Sequence, residues 1–528
     1  MKRTSLTTAV IAGIAGVAGI SNMASAVYLN NDGLGQVLIY PYYTVNNGNI
    51  TLMTVVNTTN QGKAIKVRYL EAYDSREVLD FNLYMSPHDV WTAAVVPAGA
   101  GAGVFSTDNS CTVPALPNSS ANPQAFLTYA FDGTGGSDIT NSTIPSDGGP
   151  TGVSRTLEGY VELIEMGTVY NAPHGEGSLS AITHKSGVPA NCLQVQNAWD
   201  PSVGYWGGAS GDPNTDISGV SGGLFGSGAI INANAGQIAG YNADAVDQFY
   251  QDGFSQHTAP GSLSPSISGA NFKTSYVFTQ LPAAATTGST TPKLAITTYK
   301  RGIDAVSSVF MADQVYNEYW TSSSTLAVNS EWVVTFPTKR FYVDTYSANL
   351  PTTGTGGLLQ PFDAVFAAPG KSCAPIKVSR YDREELTTAT QTGFSPSGAQ
   401  QGTSLCYESQ VVTFGQPNIG SHGTAILGSK LWANLPVVNT NTGVGWAMID
   451  MYSASPSNHV LPAGYTSGTV GAANTFFGLP VTGFWITNLV NSNVNSTGAL
   501  GNYSALFRHK LHRGCSQNGA LQNPVACS

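Results

Sequence analysis

Apolar and polar residues alternate with a period of two along much of the chain. In residues 65–69 the odd positions are apolar and the even positions are lysine or arginine; the pattern resumes at 79–83, with Asp80 and Asn82 at the even positions. This period is typical of antiparallel strands that have one buried and one solvated face. Further strands are predicted at 36–44, 49–58, 89–96 and 157–166, and a short helix at 189–199. Residues 304–320 fit either a helix or a strand, and their Val, Tyr and Phe content favours a strand.

The segment 63–96 is predicted to form the core of a first domain. A register slip of one residue would bury its charged positions, so the alternation fixes which face points inward. We expect the even-numbered face, including Lys66, Arg68, Asp80 and Asn82, to meet solvent. The inward face is predicted to consist of Ile65, Val67, Tyr69, Leu79, Phe81, Leu83 and Trp91.

Short strands at close spacing, without helices between them, predict an all-β fold of antiparallel, immunoglobulin-like β-sandwich domains. Long loops rich in Gly, Ser and Asn are expected at 97–155 and 200–228, inside an N-terminal domain covering 27–345. A stretch rich in Pro, Thr, Gly and Ala at 346–371 predicts a linker, followed by a C-terminal domain at 372–528. The pattern lacks the alternating β and α units of a periplasmic binding protein.

The N-terminus has the three parts of a secretory signal peptide. Lys2 and Arg3 precede an apolar run at 9–20, and Ala-Ser-Ala at 24–26 supplies the small residues that signal peptidase requires. Residues 1–26 are therefore predicted to be removed, which leaves Val27 first. We expect an extracellular or cell-surface protein, with the periplasm as an alternative, and no transmembrane span because no later apolar stretch is long enough.

Charged residues make up 10% of the chain, far below the usual ~25% of soluble domains. The surface is then made polar mainly by Ser, Thr, Asn, Gln and Gly, as is common in exported surface proteins. The net charge is −9 and no long basic run occurs, which argues against nucleic acid as a partner.

Six cysteines follow the signal peptide, and none has metal-site spacing. An even number of cysteines in an exported chain predicts disulfides. Spacing alone leaves every pairing open, and we favour pairs between nearest neighbours: Cys111–Cys192, Cys373–Cys406 and Cys515–Cys527.

Distinctive segments are spread over most of the chain: GQVLIYPYYT at 35–44, EVLDFNLYMSPHDVWT at 77–92, EGYVELIEMG at 158–167, EWVVTFPTKRFYV at 331–343, YDREE at 381–385, LPVTGFWITNLVN at 479–491 and NYSALFRHK at 502–510. Together they resemble a family of exported, β-rich proteins of Gram-negative bacteria known only as cell-surface or hypothetical proteins. The resemblance covers both predicted domains and implies no activity. The tail after Arg513 is extended relative to that family, so the resemblance does not support the Cys515–Cys527 pair.

Residues 219–223 match the G-x-S-x-G pattern, with Ser221 as the candidate nucleophile. A nucleophile elbow requires a strand before the serine and a helix after it. The residues before Ser221 have loop composition, and a chain with 59 glycines produces such a match by chance. We therefore expect replacement of Ser221 by alanine to have little effect.

Four oxygen-bearing residues alternate in the way that the first ligands of a calcium loop do: Asp212, Asn214, Asp216 and Ser218. However, Ile217 replaces the glycine that such a loop needs, and Gly223 replaces its final glutamate. A calcium site is one interpretation and an Asx-rich turn is the other. No other cofactor is predicted.

The acidic residues near predicted strands fall in two groups, 382–385 and the trio Glu158, Glu162 and Glu165. Paired carboxylates can perform glycoside hydrolysis, but surface salt bridges are the interpretation we favour. His509 and His512 would lie on opposite faces of a strand, so we expect no shared metal. Their basic segment is either a solvated terminal strand or a contact for an acidic partner or anionic glycan.

No candidate catalytic set is convincing, so the sequence favours a non-enzymatic, structural or adhesive protein of the cell surface. Expected partners are a second copy of the chain, components of the cell envelope, or glycans. The alternative is a secreted carbohydrate-binding or carbohydrate-active protein. That alternative requires a concave cleft lined by Trp or Tyr and, for hydrolysis, two convergent carboxylates.

Overall fold

The structure is a computed structural model of the full chain. It describes residues 26–134, 144–279, 293–321, 327–344, 360–383, 404–415, 419, 423–435, 443–463, 474–491 and 501–517.

Strands account for most of the regular structure. Those in the first part of the chain are β1 (Tyr28–Leu29), β2 (Val37–Thr44), β3 (Ile50–Asn57), β4 (Gly62–Glu71), β5 (Glu77–Met85), β6 (Val90–Ala98), β7 (Gly101–Phe105), β8 (Cys111–Val113), β9 (Gln124–Ala125), β10 (Glu158–Val169), β11 (His184–Lys185) and β12 (Val188–Pro189). The middle part contains β13 (Ile217–Ser218), β14 (Leu224–Asn232), β15 (Gln237–Asn242), β16 (Asp244–Asp247), β17 (Thr274–Thr279), β18 (Lys293–Thr298), β19 (Met311–Ala312), β20 (Gln314–Trp320) and β21 (Ala327–Thr335). The last part contains β22 (Ala374–Pro375), β23 (Lys377–Asp382), β24 (Ser404–Leu405), β25 (Ser409–Phe414), β26 (Trp432–Leu435), β27 (Val444–Asp450), β28 (Val460–Pro462), β29 (Asn474–Phe477), β30 (Leu479–Pro480), β31 (Thr482–Asn491), β32 (Gly501–Arg508), β33 (Lys510–His512) and β34 (Cys515–Gln517).

The α-helices within the described residues are short: α1 (Ser178–Ile182), α2 (Cys192–Asn197), α3 (Gly302–Phe310) and α4 (Arg340–Val343). Asn191 caps α2, because its side chain accepts the backbone N–H of Gln194. The helix α3 replaces the first half of the strand predicted at 304–320, and nearly all of its residues are buried. Of the helices in the described parts of the chain, none is long and apolar enough to cross a membrane.

The N-terminal half contains two large antiparallel sheets. Sheet A has the order β1-β16-β2-β10-β4-β5-β8, with β13 paired to β10, and sheet B has the order β15-β14-β3-β6-β7-β9. The two sheets share a hydrophobic core, to which β4 contributes Ile65 and Val67, and sheet B contributes Val55 and Trp91. The prediction of a strongly β-rich, antiparallel protein is therefore confirmed.

Two further sheets lie in the C-terminal half. Sheet C has the order β26-β25-β21-β31-β32, in which only the β25–β26 pair is parallel, and sheet D has the order β23-β27-β20-β33. One face of sheet C, with Val333 and Phe484, joins the core of sheets A and B. Its other face, with Trp332 and Trp485, joins a second core that includes residues of sheet D.

The linker predicted at 346–371 does not separate the sheets. The strands β20 and β21 precede it in sequence, yet β20 pairs with β27 and β33, and β21 pairs with β25 and β31. The division into 27–345 and 372–528 is therefore wrong for these strands, because strand pairing joins residues far apart in sequence. The predicted loop at 97–155 also contains β7, β8 and β9, and the one at 200–228 contains β13 and the start of β14.

The inward face predicted for 63–96 is confirmed, and Phe81 is 1% exposed. The prediction that the opposite face meets solvent is wrong. Residues 248–270 cross that face, and the carbonyl oxygens of Thr258 and Ala259 accept hydrogen bonds from Asn82 Nδ2 and Lys66 Nζ at 2.8 and 2.7 Å. Both faces of β4 are consequently buried along its whole length.

Two disulfides tie the described residues together, Cys111–Cys192 and Cys373–Cys406, with Cα–Cα distances of 5.2 and 3.8 Å. These are two of the three predicted pairs. Cys515 is also disulfide-bonded. Cys527 and residues 1–25, which carry the predicted signal peptide up to Ser25, lie outside the described residues.

Candidate functional site

The three glutamates of β10 are buried, so their prediction as surface salt bridges is wrong. Each meets a separate partner on a neighbouring strand or loop: Tyr42 Oη donates to Glu158 at 2.6 Å, Arg68 Nη1 to Glu162 at 2.9 Å and Lys63 Nζ to Glu165 at 2.6 Å. Different segments cover them: the backbone N–H of Ile267 donates to Glu162, that of Lys430 to Glu158, and those of Ser221 and Gly222 to Glu165. Each carboxylate is satisfied inside the protein, and none of the three lines the basic cleft or the adjoining hollow described below.

Ser221 lies at one end of this buried network. Its Oγ accepts a hydrogen bond from Lys63 Nζ at 2.5 Å, and the backbone N–H groups of Ser221 and Gly222 donate to Glu165 at 3.0 and 2.8 Å. Gly222 has φ +67°, and a strand, β14, follows. Lys63 is ion-paired and donates to the hydroxyl, so it is not placed to remove the hydroxyl proton.

The four calcium candidates at 212–218 do not converge on one point. The carboxylate of Asp216 is buried and accepts the backbone N–H groups of Ala172 and Ser178 at 3.0 and 2.8 Å. Asp212 Oδ1 accepts the backbone N–H two positions on, at 2.9 Å, as in an Asx turn. Among the described residues no group of three or more His, Cys, Asp or Glu side chains is arranged to hold a metal ion.

The two C-terminal histidines have separate partners. His509 is buried and its Nε2 lies 2.8 Å from the carbonyl oxygen of Val333, whereas His512 Nδ1 lies 2.7 Å from Asp313. Of the acidic group at 382–385, Asp382 is buried, and Glu384 and Glu385 lie outside the described residues.

A cleft of about 510 Å³ lies beside the basic segment 508–513. This volume is in the range of ~300–1,000 Å³ that is usual for small-molecule sites. We call it the basic cleft. Its walls come from the loop after β1, the β15–β16 junction, β17, α3 and the C-terminal strands, and include Asn31, Asn242, Asp244, Tyr276, Val277, Phe278, Val309, Arg508, Lys510, Leu511 and Arg513.

Cations outnumber anions in the basic cleft. Arg508, Lys510 and Arg513 face one carboxylate, that of Asp244, which is ion-paired with Arg508 and accepts the hydroxyl of Thr482. Nε of Arg513 is buried without a hydrogen-bond partner among the described residues. Burial, with the charge of Arg508 nearby, lowers the pKa of Arg513 to about 10. The cleft thus carries a positive excess in a chain of net charge −9.

His509 anchors the strand that carries these cations. Gly483 has φ +142°, and a Cβ atom there would lie 2.0 Å from the carbonyl oxygen of Val333, so only glycine fits. His509 Nε2 donates to that carbonyl, and Asn317 Nδ2 donates to His509 Nδ1 at 3.1 Å. Burial lowers the pKa of His509 to about 4, which keeps the ring neutral. Arg508 and Lys510 are each one residue away, on the opposite side of the extended chain.

A second part of the cleft lining is aromatic and apolar. Tyr276 and Phe278 alternate with the buried Val277 on β17, and Phe278 is 63% exposed. A smaller hollow of about 210 Å³ shares Asp244 and Arg508 with the cleft and extends it towards sheet C. The basic character of 508–513 was predicted from the sequence, whereas the aromatic wall of Tyr276 and Phe278 was not. The alternation of these aromatic residues with Val277 is the sequence signal that could have indicated it.

Comparison of the chain with protein-family models, curated protein sequences and solved structures found no match. The functional assignment therefore rests on the geometry of the basic cleft.

Proposed function

We propose that this chain is an exported, non-enzymatic protein of the cell surface with an adhesive role, and that it holds an anionic partner in the basic cleft. The observation that carries the proposal is the presence of three cations beside a single carboxylate, which is already paired with one of them, Arg508. A concave site lined by one sign of charge concentrates ligands of the opposite sign. A partly buried guanidinium whose Nε has no hydrogen-bond partner among the described residues, such as that of Arg513, gains from an incoming anion.

Other features of the chain support export and a surface role. Disulfides form and persist in oxidising compartments outside the cytoplasm. The buried ion pairs keep much of the small complement of charged residues inside the protein, which leaves a weakly charged exterior suited to contact. We propose that sheets A and B form the immunoglobulin-like sandwich expected from the sequence.

Hydrolysis of a carbohydrate is the second candidate function. It needs two carboxyl groups about 5–9.5 Å apart across the scissile bond. The basic cleft contributes one carboxylate, that of Asp244, and its oxygens are occupied by Arg508 and Thr482. Binding without turnover is therefore the function that the cleft supports better.

Retention on immobilised polygalacturonate, with a neutral dextran matrix beside it, tests the proposed function. We expect the full secreted chain to be retained only by the acidic polymer, and to elute near 1 M salt, where the screening length falls to ~3 Å. Lys510→Glu should weaken retention, whereas Lys377→Glu, the same change at an exposed lysine of β23, should not. Equal retention on both matrices would refute the proposal, and shortening of the polymer would refute its non-enzymatic part.

A further inference from the structure

The basic cleft has two chemically different walls. The cationic wall consists of Arg508, Lys510 and Arg513, and a second wall presents Tyr276 and Phe278. A site for a simple anion needs only the first wall. The second wall indicates that the ligand also has an apolar face of its own.

Phe278 is the more informative of the two aromatic residues. Its side chain is 63% exposed at the cleft, although burial of an aromatic side chain is strongly favourable. Tyr276 lies two residues earlier on the same face of β17, about 7 Å away along the strand. The two rings form a strip that a flat, partly apolar ligand can cover.

The lip of the cleft adds groups that suit hydroxyls. Asn31 and Asn242 are exposed there, and an amide side chain offers both donors and an acceptor. A sugar ring combines an apolar C–H face with a rim of hydroxyls that both donate and accept. The amides and the aromatic strip therefore match the two aspects of a sugar ring.

The arrangement of the cations favours an extended ligand over a compact one. Arg508 and Lys510 are two positions apart on an extended chain, which separates their backbones by about 7 Å. The cleft of about 510 Å³ shares Asn242, Asp244 and Arg508 with the hollow of about 210 Å³, so the two spaces are adjacent. Inorganic phosphate would fill a small part of this space and leave Phe278 uncovered.

We propose that the ligand of the basic cleft is an acidic saccharide, whose carboxylates pair with Lys510 and Arg513 while one sugar ring packs against Phe278. This inference rests on the proposed function. It adds the chemical class of the partner, and it predicts that charge and ring contact contribute separately to affinity.

Isothermal titration of the full chain with trigalacturonate, its methyl ester and inorganic phosphate tests the inference. We expect trigalacturonate to bind most tightly. The uncharged ester should bind at least about tenfold more weakly, because it lacks the carboxylates and a tenfold change in affinity corresponds to the loss of one charge-assisted hydrogen bond. Phe278→Ser should weaken trigalacturonate binding about threefold to tenfold and leave phosphate binding unchanged. Lys510→Gln should weaken both, and Lys377→Gln should affect neither. Phe278 is exposed, so its replacement is not expected to disturb folding.

The outcomes separate the inference from the proposed function. If phosphate binds as tightly as trigalacturonate and Phe278→Ser changes nothing, the site is a general anion site; the acidic-saccharide inference is then wrong and the proposed function stands. Tighter binding of an oligothymidylate than of trigalacturonate would also overturn the inference, in favour of single-stranded nucleic acid. If no anion binds, the proposed function itself is wrong.

Discussion

Replacement of Glu165 by glutamine removes one charge from the buried face of sheet A. The carboxylate is fully buried, 2.6 Å from Lys63 Nζ, and it also accepts the backbone N–H groups of Ser221 and Gly222. Glutamine keeps the shape of the side chain but leaves the ammonium of Lys63 buried without a counter-ion. We expect Glu165→Gln to destabilise the protein strongly.

The size of the effect follows from the geometry. Two unit charges 2.6 Å apart attract by about 6 kcal/mol at an effective dielectric constant of about 20. Breaking a buried pair by removing one partner costs about 3–5 kcal/mol. Lys63 keeps hydrogen bonds to Ser221 Oγ and the carbonyl oxygen of Gly222, so we expect a loss near 3 kcal/mol, the lower end of that range of ~3–5 kcal/mol.

The double variant Lys63→Met/Glu165→Gln is the matched control. It removes both charges, so only hydrogen bonds are lost, and we expect a cost of about 1–2 kcal/mol. Urea unfolding with the disulfides intact, followed by circular dichroism, gives the free energies of unfolding. A double variant less stable than Glu165→Gln, or a single variant within about 0.5 kcal/mol of the parent, would refute the view that the pair is buried and mutually compensating.

Three further predictions concern stability and the anchoring of the cleft. Phe81 and Asn82 are both buried, so Phe81→Ala should lower the free energy of unfolding in urea by about 3–5 kcal/mol, and Asn82→Ala by about 1–3 kcal/mol. A decrease below about 0.5 kcal/mol for Asn82→Ala would place this residue in solvent. His509 has a pKa of about 4 in the folded protein and about 6.5 when unfolded, so the unfolded chain takes up a proton first as the pH falls. The free energy of unfolding should therefore drop between pH 6.5 and 4, and it should fall less steeply with pH in His509→Gln. Equal pH dependence in the two proteins would contradict this. Gly483→Ala should lower the melting temperature and abolish retention on polygalacturonate, because its Cβ would collide with the carbonyl oxygen of Val333. Normal retention would show that the anchor is dispensable.

The sequence pattern correctly predicted the inward face of residues 63–96, but it incorrectly predicted that the opposite face meets solvent. Alternation at 65–69 shows which residues share a face, but it does not distinguish a solvated charge from one covered by a distant segment. Lys66 and Asn82 are buried because residues 248–270 cross them, and their partners Ala259 and Thr258 lie far along the chain. A contact of such long range leaves no periodic signal near either end.

The linker and the cleft show the same limit. The composition of 346–371 is typical of a domain boundary. However, β21 precedes this segment in the sequence, β31 follows it, and the two strands pair with each other. The basic segment 508–513 was visible in the sequence, whereas Phe278 becomes part of the site only through packing of β17 beside it. The charge of the basic segment could therefore be predicted from the sequence. That this segment and β17 line the same cleft could not be predicted.

A crystal structure of the full chain with trigalacturonate would locate the bound ligand. We predict ligand density in the basic cleft, with a carboxylate within hydrogen-bond distance of Lys510 or Arg513 and a sugar ring against Phe278. An empty cleft with the ligand bound elsewhere on the protein would contradict this prediction.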